Sequence, residues 1–163
     1  MAVIAAMRTQ RPTFRASDVC ASAPEVDLPI LRARLLRLSR IEDERGVLIF
    51  GEVGAQLPFV SPRAFMLTGV PDGQHRGDHA HRELEQYMVC VSGMCTVSLD
   101  DGTRAVDVVL DDPAVGLHVG RMVWTTLVPA DSSAVVVVLA SDVYDERDYI
   151  RHYPEFAKLT ALG

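Results

Sequence analysis

The latter half of the chain is a succession of short apolar runs, each stopped by turn chemistry, and that rhythm restricts it to a β-protein. Tyr87 to Val91 ends at Ser92 and Gly93, and Cys95 to Leu99 ends at Asp100, Asp101 and Gly102. Ala105 to Leu110, Val123 to Leu127 and Ala134 to Ala140 follow. The Asp-Gly pair supplies residues that tolerate positive φ, so it predicts a hairpin between the two runs it separates. Ala134 to Ala140 is Val-rich enough to read as a core strand buried on both faces. Earlier, Leu35 to Ile41, Val47 to Phe50, Leu57 to Phe59 and Phe65 to Val70 also read as strands. Strands at this density imply an all-β sandwich or small barrel.

The organisation around these strands is simple. A chain of 163 residues with 48% hydrophobic content is enough for one domain with a sizeable core. Residues 1–30 mix Ala, Ser, Thr, Pro and Arg without a period and read as an N-terminal extension or loosely docked arm, leaving 31–163 as the single domain. From about residue 144 the character changes. Tyr149, Tyr153 and Phe156 recur at helical spacing, so one or two short C-terminal helices are expected, with Pro154 interrupting or restarting them.

Several partners are disfavoured. The net charge of −6 argues against a nucleic-acid or anionic-membrane binder, and no run approaches the roughly 20 apolar residues of a membrane span. Three cysteines, Cys20, Cys90 and Cys95, do not make a disulfide framework. The expectation is a reduced, cytoplasmic protein.

The chemistry concentrates in Arg76, Gly77, Asp78, His79, Ala80, His81 and Glu85. Alternate side chains of a strand share a face, so His79, His81 and Glu85 can converge on one interior. Two imidazoles and a carboxylate serve either proton transfer near neutral pH or metal binding. The plainer alternative is a pair of solvent-facing strand histidines among Arg82 and Glu83.

The spacing Gly73, His79, His81, Glu85, Gly93 resembles the first motif of the cupin superfamily, with one extra residue before Gly93. A closer resemblance runs from about Arg40 to Phe156. It is carried by Arg45-Gly46, Leu57-Pro58-Phe59, Arg63, Arg76-Gly77, His79-Ala80-His81, Gln86, Gly93, Asp100-Asp101-Gly102, Pro113, Gly116-Leu117, Trp124, Ala140-Ser141-Asp142, Tyr144-Asp145-Glu146 and Asp148-Tyr149-Ile150-Arg151. In this order the residues resemble the sugar 3,4-ketoisomerases, the WxcM-like or FdtA-type cupins that act on dTDP-4-keto-6-deoxyglucose. The resemblance implies a cupin jelly roll with a short C-terminal helix or helices, a homodimer with an exchanged N-terminal strand, no metal or other cofactor, and a dTDP-linked 4-keto-6-deoxyhexose as substrate. It also implies that His79 and His81 are the catalytic pair. We assign His79 as the base at C3 and His81 as its partner or as donor to the enediol oxygen.

Around that pair, Arg63, Arg76 and Arg121 are candidates for the diphosphate, since a guanidinium suits bidentate phosphate contacts. Trp124 offers an aromatic face to thymine or sugar, with core packing as the alternative. Glu85 is placed to orient an imidazole by accepting its second N–H. Three positions depart from the family pattern: Phe65 where tyrosine is frequent, Thr125 in place of a histidine after Trp124, and His118 where tyrosine is usual. These leave the C4 configuration of the product open. They also keep two other readings in play, a sugar-nucleotide binder without turnover and a metal-dependent cupin using His79, His81 and Glu85, with His118 as a candidate to complete the set.

Overall fold

The computed structural model describes residues 11–162. In chain order the strands begin with β1 (Thr13–Arg15), β2 (Glu25–Asp27), β3 (Ala33–Arg37), β4 (Ser39–Asp43), β5 (Gly46–Phe50), β6 (Arg63–Leu67) and β7 (Arg76–His81). They continue with β8 (Gln86–Ser92), β9 (Cys95–Asp100), β10 (Ala105–Leu110), β11 (Val115–Val119), β12 (Trp124–Pro129), β13 (Val135–Ala140) and β14 (Tyr149–Ile150), before one helix, α1 (Tyr153–Thr160). Two six-stranded sheets form a jelly roll, the first ordered β1-β10-β9-β12-β7-β14 and the second β2-β3-β11-β8-β13-β6. Strands β4 and β5 make a separate hairpin. The turn at Asp101 and Gly102 joins β9 to β10 in register, Asp100 opposite Ala105, as its residue types predict.

Alternation explains the core. Leu35, Met88, Val97, Leu99, Val108, Leu117, Val136 and Val138 come from both sheets and are buried within one cluster. Each such side chain contributes about 1.5–3 kcal/mol relative to exposure. Strand β13 differs from expectation: Val136, Val138 and Ala140 are buried, whereas Val135, Val137 and Leu139 are only half-buried. Its outer face receives only a small second cluster, Leu36, Leu38 and Tyr87 with flanking Ile49, Leu57, Phe59, Val89 and Leu139. Leu57 to Phe59 is not a strand but a loop that supplies part of this cover.

The N-terminal stretch is more integrated than an arm. Strand β1 pairs in parallel with β10, β2 pairs with β3, and Ala16, Val19, Leu28 and Ile30 enter the main core. The reading of residues 1–10 lies outside the described residues. At the other end, residues 144–152 are not an α-helix: a single 3-10 turn at Glu146–Asp148 leads into β14, which pairs with β7. Pro154 opens α1 rather than breaking it, because the first turn needs no N–H from that position. Among the described residues no helix is long and apolar enough to cross a membrane.

Candidate active site

Strand β7 carries a bulge that decides where its histidines point. Arg76 pairs with Leu127 and Gly77 with Thr126, but Thr125 pairs with His79, so Asp78 is an extra residue in the ladder. Both Gly77 and Asp78 have positive φ, 96° and 55°. Gly77 is required twice over, since a Cβ there would stand 2.5 Å from the Thr125 carbonyl oxygen. Asp78 is held by the Thr126 hydroxyl at 2.8 Å and by His75 at 2.6 Å. The inserted residue shifts the alternation by one, which turns His79 and His81 towards the interior together with buried Thr125.

There the two imidazoles form a compact group with Tyr149 of β14. The His79 and His81 centroids are 4.9 Å apart at near-perpendicular inclination, and Tyr149 lies 4.9 Å from His79 and 4.4 Å from His81. Each imidazole is tied at Nδ1 to an acceptor. His79 Nδ1 donates to the Gly77 carbonyl at 3.0 Å and His81 Nδ1 donates to Asp148 Oδ2 at 2.8 Å. In the neutral rings the proton therefore sits on Nδ1, and Nε2 is the basic, accepting atom. Gln86 of β8 faces His81 Nε2 at 3.3 Å, where its amide N–H can donate.

Asp148 does two jobs. Its carboxylate also accepts from the backbone N–H of Glu83 at 2.8 Å, and its carbonyl accepts from Arg82 N–H at 2.9 Å, so it pins the loop after β7 as well as the ring. Burial lowers the His81 pKa to about 4, opposed by the Asp148 hydrogen bond. Burial likewise pushes His79 below the ordinary histidine value, opposed by the Gly77 carbonyl. Both rings are thus neutral bases at physiological pH.

Arg63 of β6 stands across from them. Its guanidinium lies 4.8 Å over the Phe65 ring and 5.3 Å over the Tyr144 ring. Among the described residues it has no carboxylate partner, which leaves it free for an anionic ligand. Along the rim, Arg151 covers Tyr149 at 4.3 Å and binds Glu146 with two hydrogen bonds of 2.7 and 2.8 Å, while the Tyr144 hydroxyl donates to Glu146.

Of the residues expected from sequence, His79, His81 and Arg63 are brought together and the others are not. Arg76 is exposed at the far end of β7. Arg121 is exposed and paired with Glu83 at 2.8 Å. Trp124 packs beneath α1, 5.2 Å from Tyr153 and 5.6 Å from Phe156, on the outer face of the first sheet. Glu85 does not orient a β7 imidazole: it accepts from His118 Nε2 at 2.5 Å, and Asp148 takes the role expected of it. His118 alternates with core residues Leu117 and Val119 and so faces outward, bordering a cavity of about 600 Å³ that excludes both β7 histidines. The four-residue metal set is therefore not assembled, because alternation sends half of it to the opposite side of the second sheet. Asp148, Gln86 and Arg151 carried no independent signal in sequence. Tyr149 entered through the family resemblance and as an aromatic of the tail.

Comparison with known proteins agrees with this geometry. The family model described as FdtA, WxcM-like, C-terminal, matches residues 32–161. A TDP-4-oxo-6-deoxy-alpha-D-glucose-3,4-oxoisomerase from Aneurinibacillus thermoaerophilus is 43% identical over 128 residues, covering 78% of this chain and 92% of that protein. The 3,4-ketoisomerase QdtA from Thermoanaerobacterium thermosaccharolyticum, solved with TDP-4-keto-6-deoxyglucose, superposes with a TM-score of 0.78 at 31% identity, covering 82% of this chain and 96% of that one. The TDP-quinovose 3,4-ketoisomerase WlaRB from Campylobacter jejuni gives 0.75 at 36% identity, with 79% and 99% covered. The 4-keto-6-deoxy sugar epimerase NovW from Streptomyces spheroides, 19% identical with a TM-score of 0.65, shares the fold. With two inward imidazoles on its bulged strand and these relatives across most of its length, the chain belongs to the FdtA, WxcM-like family of cupin-fold sugar ketoisomerases.

Proposed function

We propose that this protein is an isomerase that moves the keto group of a dTDP-linked 4-keto-6-deoxyhexose between C4 and C3. The observation that carries the reading is the pair of neighbouring His79 and His81 imidazoles, each held with its proton on Nδ1 by a fixed hydrogen bond, so that Nε2 is the basic atom. The reaction needs one proton moved between carbons and one between oxygens. His79 takes the C3 proton and returns it to C4. His81 takes the O3 proton and passes it to O4 through the enediol, and Asp148 stabilises the transient imidazolium. Arg63, the unpaired guanidinium at the mouth, supplies charge for the diphosphate.

Incubation with dTDP-4-keto-6-deoxyglucose in deuterated water tests this. Isomerised product is expected, with deuterium at C4 wherever the proton held on His79 exchanges with solvent before its return, and loss of that product is expected in His79→Asn and His81→Asn. Absence of both isomerisation and exchange in the unaltered protein removes the reading in favour of a binder without turnover.

The proposal includes a homodimer with strand exchange. The homodimer is supported by the β4–β5 hairpin, which joins neither sheet and leaves Ile41, Val47 and Leu48 about half exposed or more, whereas exchange of the N-terminal strand rests on the resemblance alone. Sedimentation of the full chain and of Leu48→Lys checks it, with a shift towards monomer expected in the variant. A cytoplasmic setting belongs to the same reading, supported by Cys20, Cys90 and Cys95 all being free thiols.

A further inference from the structure

The loop between β7 and β8, Arg82 to Glu85, spends all four of its backbone N–H groups on one segment, the stretch from Ser141 to Asp148. Arg82 N–H donates to the Asp148 carbonyl at 2.9 Å, Glu83 N–H to Asp148 Oδ1 at 2.8 Å and Leu84 N–H to Asp148 Oδ2 at 3.4 Å. The fourth goes to the other end of that segment. Glu85 N–H donates to Ser141 Oγ at 2.8 Å, and Ser141 N–H returns a bond to the Glu85 carbonyl at 3.0 Å. Ala140 is the last residue of β13 and pairs with Gln86, so Ser141 stands opposite Glu85, and its hydroxyl takes an N–H that the strand ladder no longer satisfies. Between the two anchors Asp142, Val143, Tyr144, Glu146 and Arg147 are exposed, whereas Leu84 in the loop is buried. The loop therefore grips the segment at its two ends, Ser141 and Asp148, and leaves the middle to solvent.

Resting on the isomerase reading, we infer that Ser141, which bonds to neither imidazole, is a positioning residue for the reaction: its hydroxyl fixes Glu85, and through the loop's preceding N–H groups it fixes the carboxylate that orients His81. The Asp148 carboxylate has three donors, Glu83 N–H, Leu84 N–H and His81 Nδ1. Two of them come from the loop, so the oxygen that His81 meets stands where the loop puts it. Without Ser141 Oγ the loop is held at Glu85 by one bond instead of two, and the Leu84 bond, already the longest of the set, is the first to give. That bond ends on Oδ2, the same oxygen that accepts from His81 Nδ1. The serine itself passes no proton. The Glu85 side chain is a separate matter, because its carboxylate meets His118 while only its backbone meets Ser141. The coupling runs through hydrogen-bonded neighbours over a loop of four residues, too short to absorb a shift at one end without moving the other.

Steady-state kinetics on full-length Ser141→Ala and Ser141→Thr, with proton NMR of the imidazole N–H that His81 donates to Asp148, test this. Ser141→Ala is expected to lower kcat about tenfold with KM within about twofold, because the carboxylate behind His81 is displaced and the groups facing the sugar are not. Ser141→Thr keeps the hydroxyl and should restore kcat to that of the unaltered protein. The His81 Nδ1 proton should exchange with water faster in Ser141→Ala than in the unaltered protein at a temperature where both are folded, a signal that needs no substrate. A kcat unchanged in Ser141→Ala, or equally low in Ser141→Thr, overturns the positioning role, and so does an unaltered His81 resonance beside a fallen kcat. No turnover by the unaltered protein removes the isomerase reading and this role with it, an outcome distinct from the others.

Discussion

His81 with Asp148 and His118 with Glu85 use the same two kinds of side chain at hydrogen-bonding distance, 2.8 and 2.5 Å, on opposite sides of the second sheet. Burial lowers the pKa of both imidazoles, and in both the carboxylate opposes it. What separates them is the remaining nitrogen and the company it keeps. His81 has Nδ1 tied and Nε2 facing a second imidazole, an amide and a tyrosine ring inside the mouth. His118 spends Nε2 on Glu85 and packs against Phe59 at 6.0 Å on the outer surface. A histidine–carboxylate pair is therefore not by itself a catalytic device; the direction of its free lone pair is what counts.

That contrast breaks most sharply under substitution. His81→Asn and His79→Asn should each lower kcat by roughly 10²–10⁴, the usual worth of a positioned acid/base group, whereas His118→Gln should leave it within about threefold. Steady-state assays on the three variants measure the ratio, and comparable losses in all three would show the outer pair to be part of the reaction. Asp148→Asn comes next, with kcat down about 10²-fold and KM little changed, because the tautomer of His81 is no longer dictated. Glu85→Gln is its control, with activity retained.

Smaller effects test the setting. Gly77→Ala forces a side chain into positive φ and against the Thr125 carbonyl, so stability should fall by about 1–3 kcal/mol in denaturant titration, with activity lost beyond what the unfolded fraction explains. Burial of neutral His81 also fixes a pH dependence. With a folded pKa of about 4 and an unfolded value near 6.5, the unfolded chain binds the extra proton first, so the stability from this group is present above pH 6.5 and declines as pH falls towards 4. Urea midpoints between those limits should show the decline, and His81→Asn should flatten it. In the same range the acid limb of kcat/KM for the free enzyme should lie below pH 6.5, where ordinary histidines titrate.

Much of this was legible beforehand, for identifiable reasons. The period of the strands and the Asp101-Gly102 turn are local signals, and local signals survive folding. His79 and His81 were found because two residues apart on a strand means a shared face, although the sequence did not reveal that the bulge at Asp78 chooses which face. Glu85 misled because its spacing was read as a continuation of the histidine strand, whereas β7 ends at His81 and Glu85 lies in the loop before β8; His118 misled because alternation with Leu117 and Val119 turns it outward. Asp148 lies 67 positions from the ring it orients, a separation no periodicity reports. The tail misled for the same reason: pairing with β7 overrode a helical spacing of aromatics.

The dependence of the His81 tautomer on Asp148 has a temporal consequence. During synthesis the jelly-roll strands through β13 emerge before the residue that tells one imidazole where to keep its proton. A chain truncated after Ser141 retains every strand of both sheets except β14 but lacks Asp148, Tyr149 and Arg151. The residues that confer competence are thus the last to be synthesised, in a C-terminal strap laid against β7.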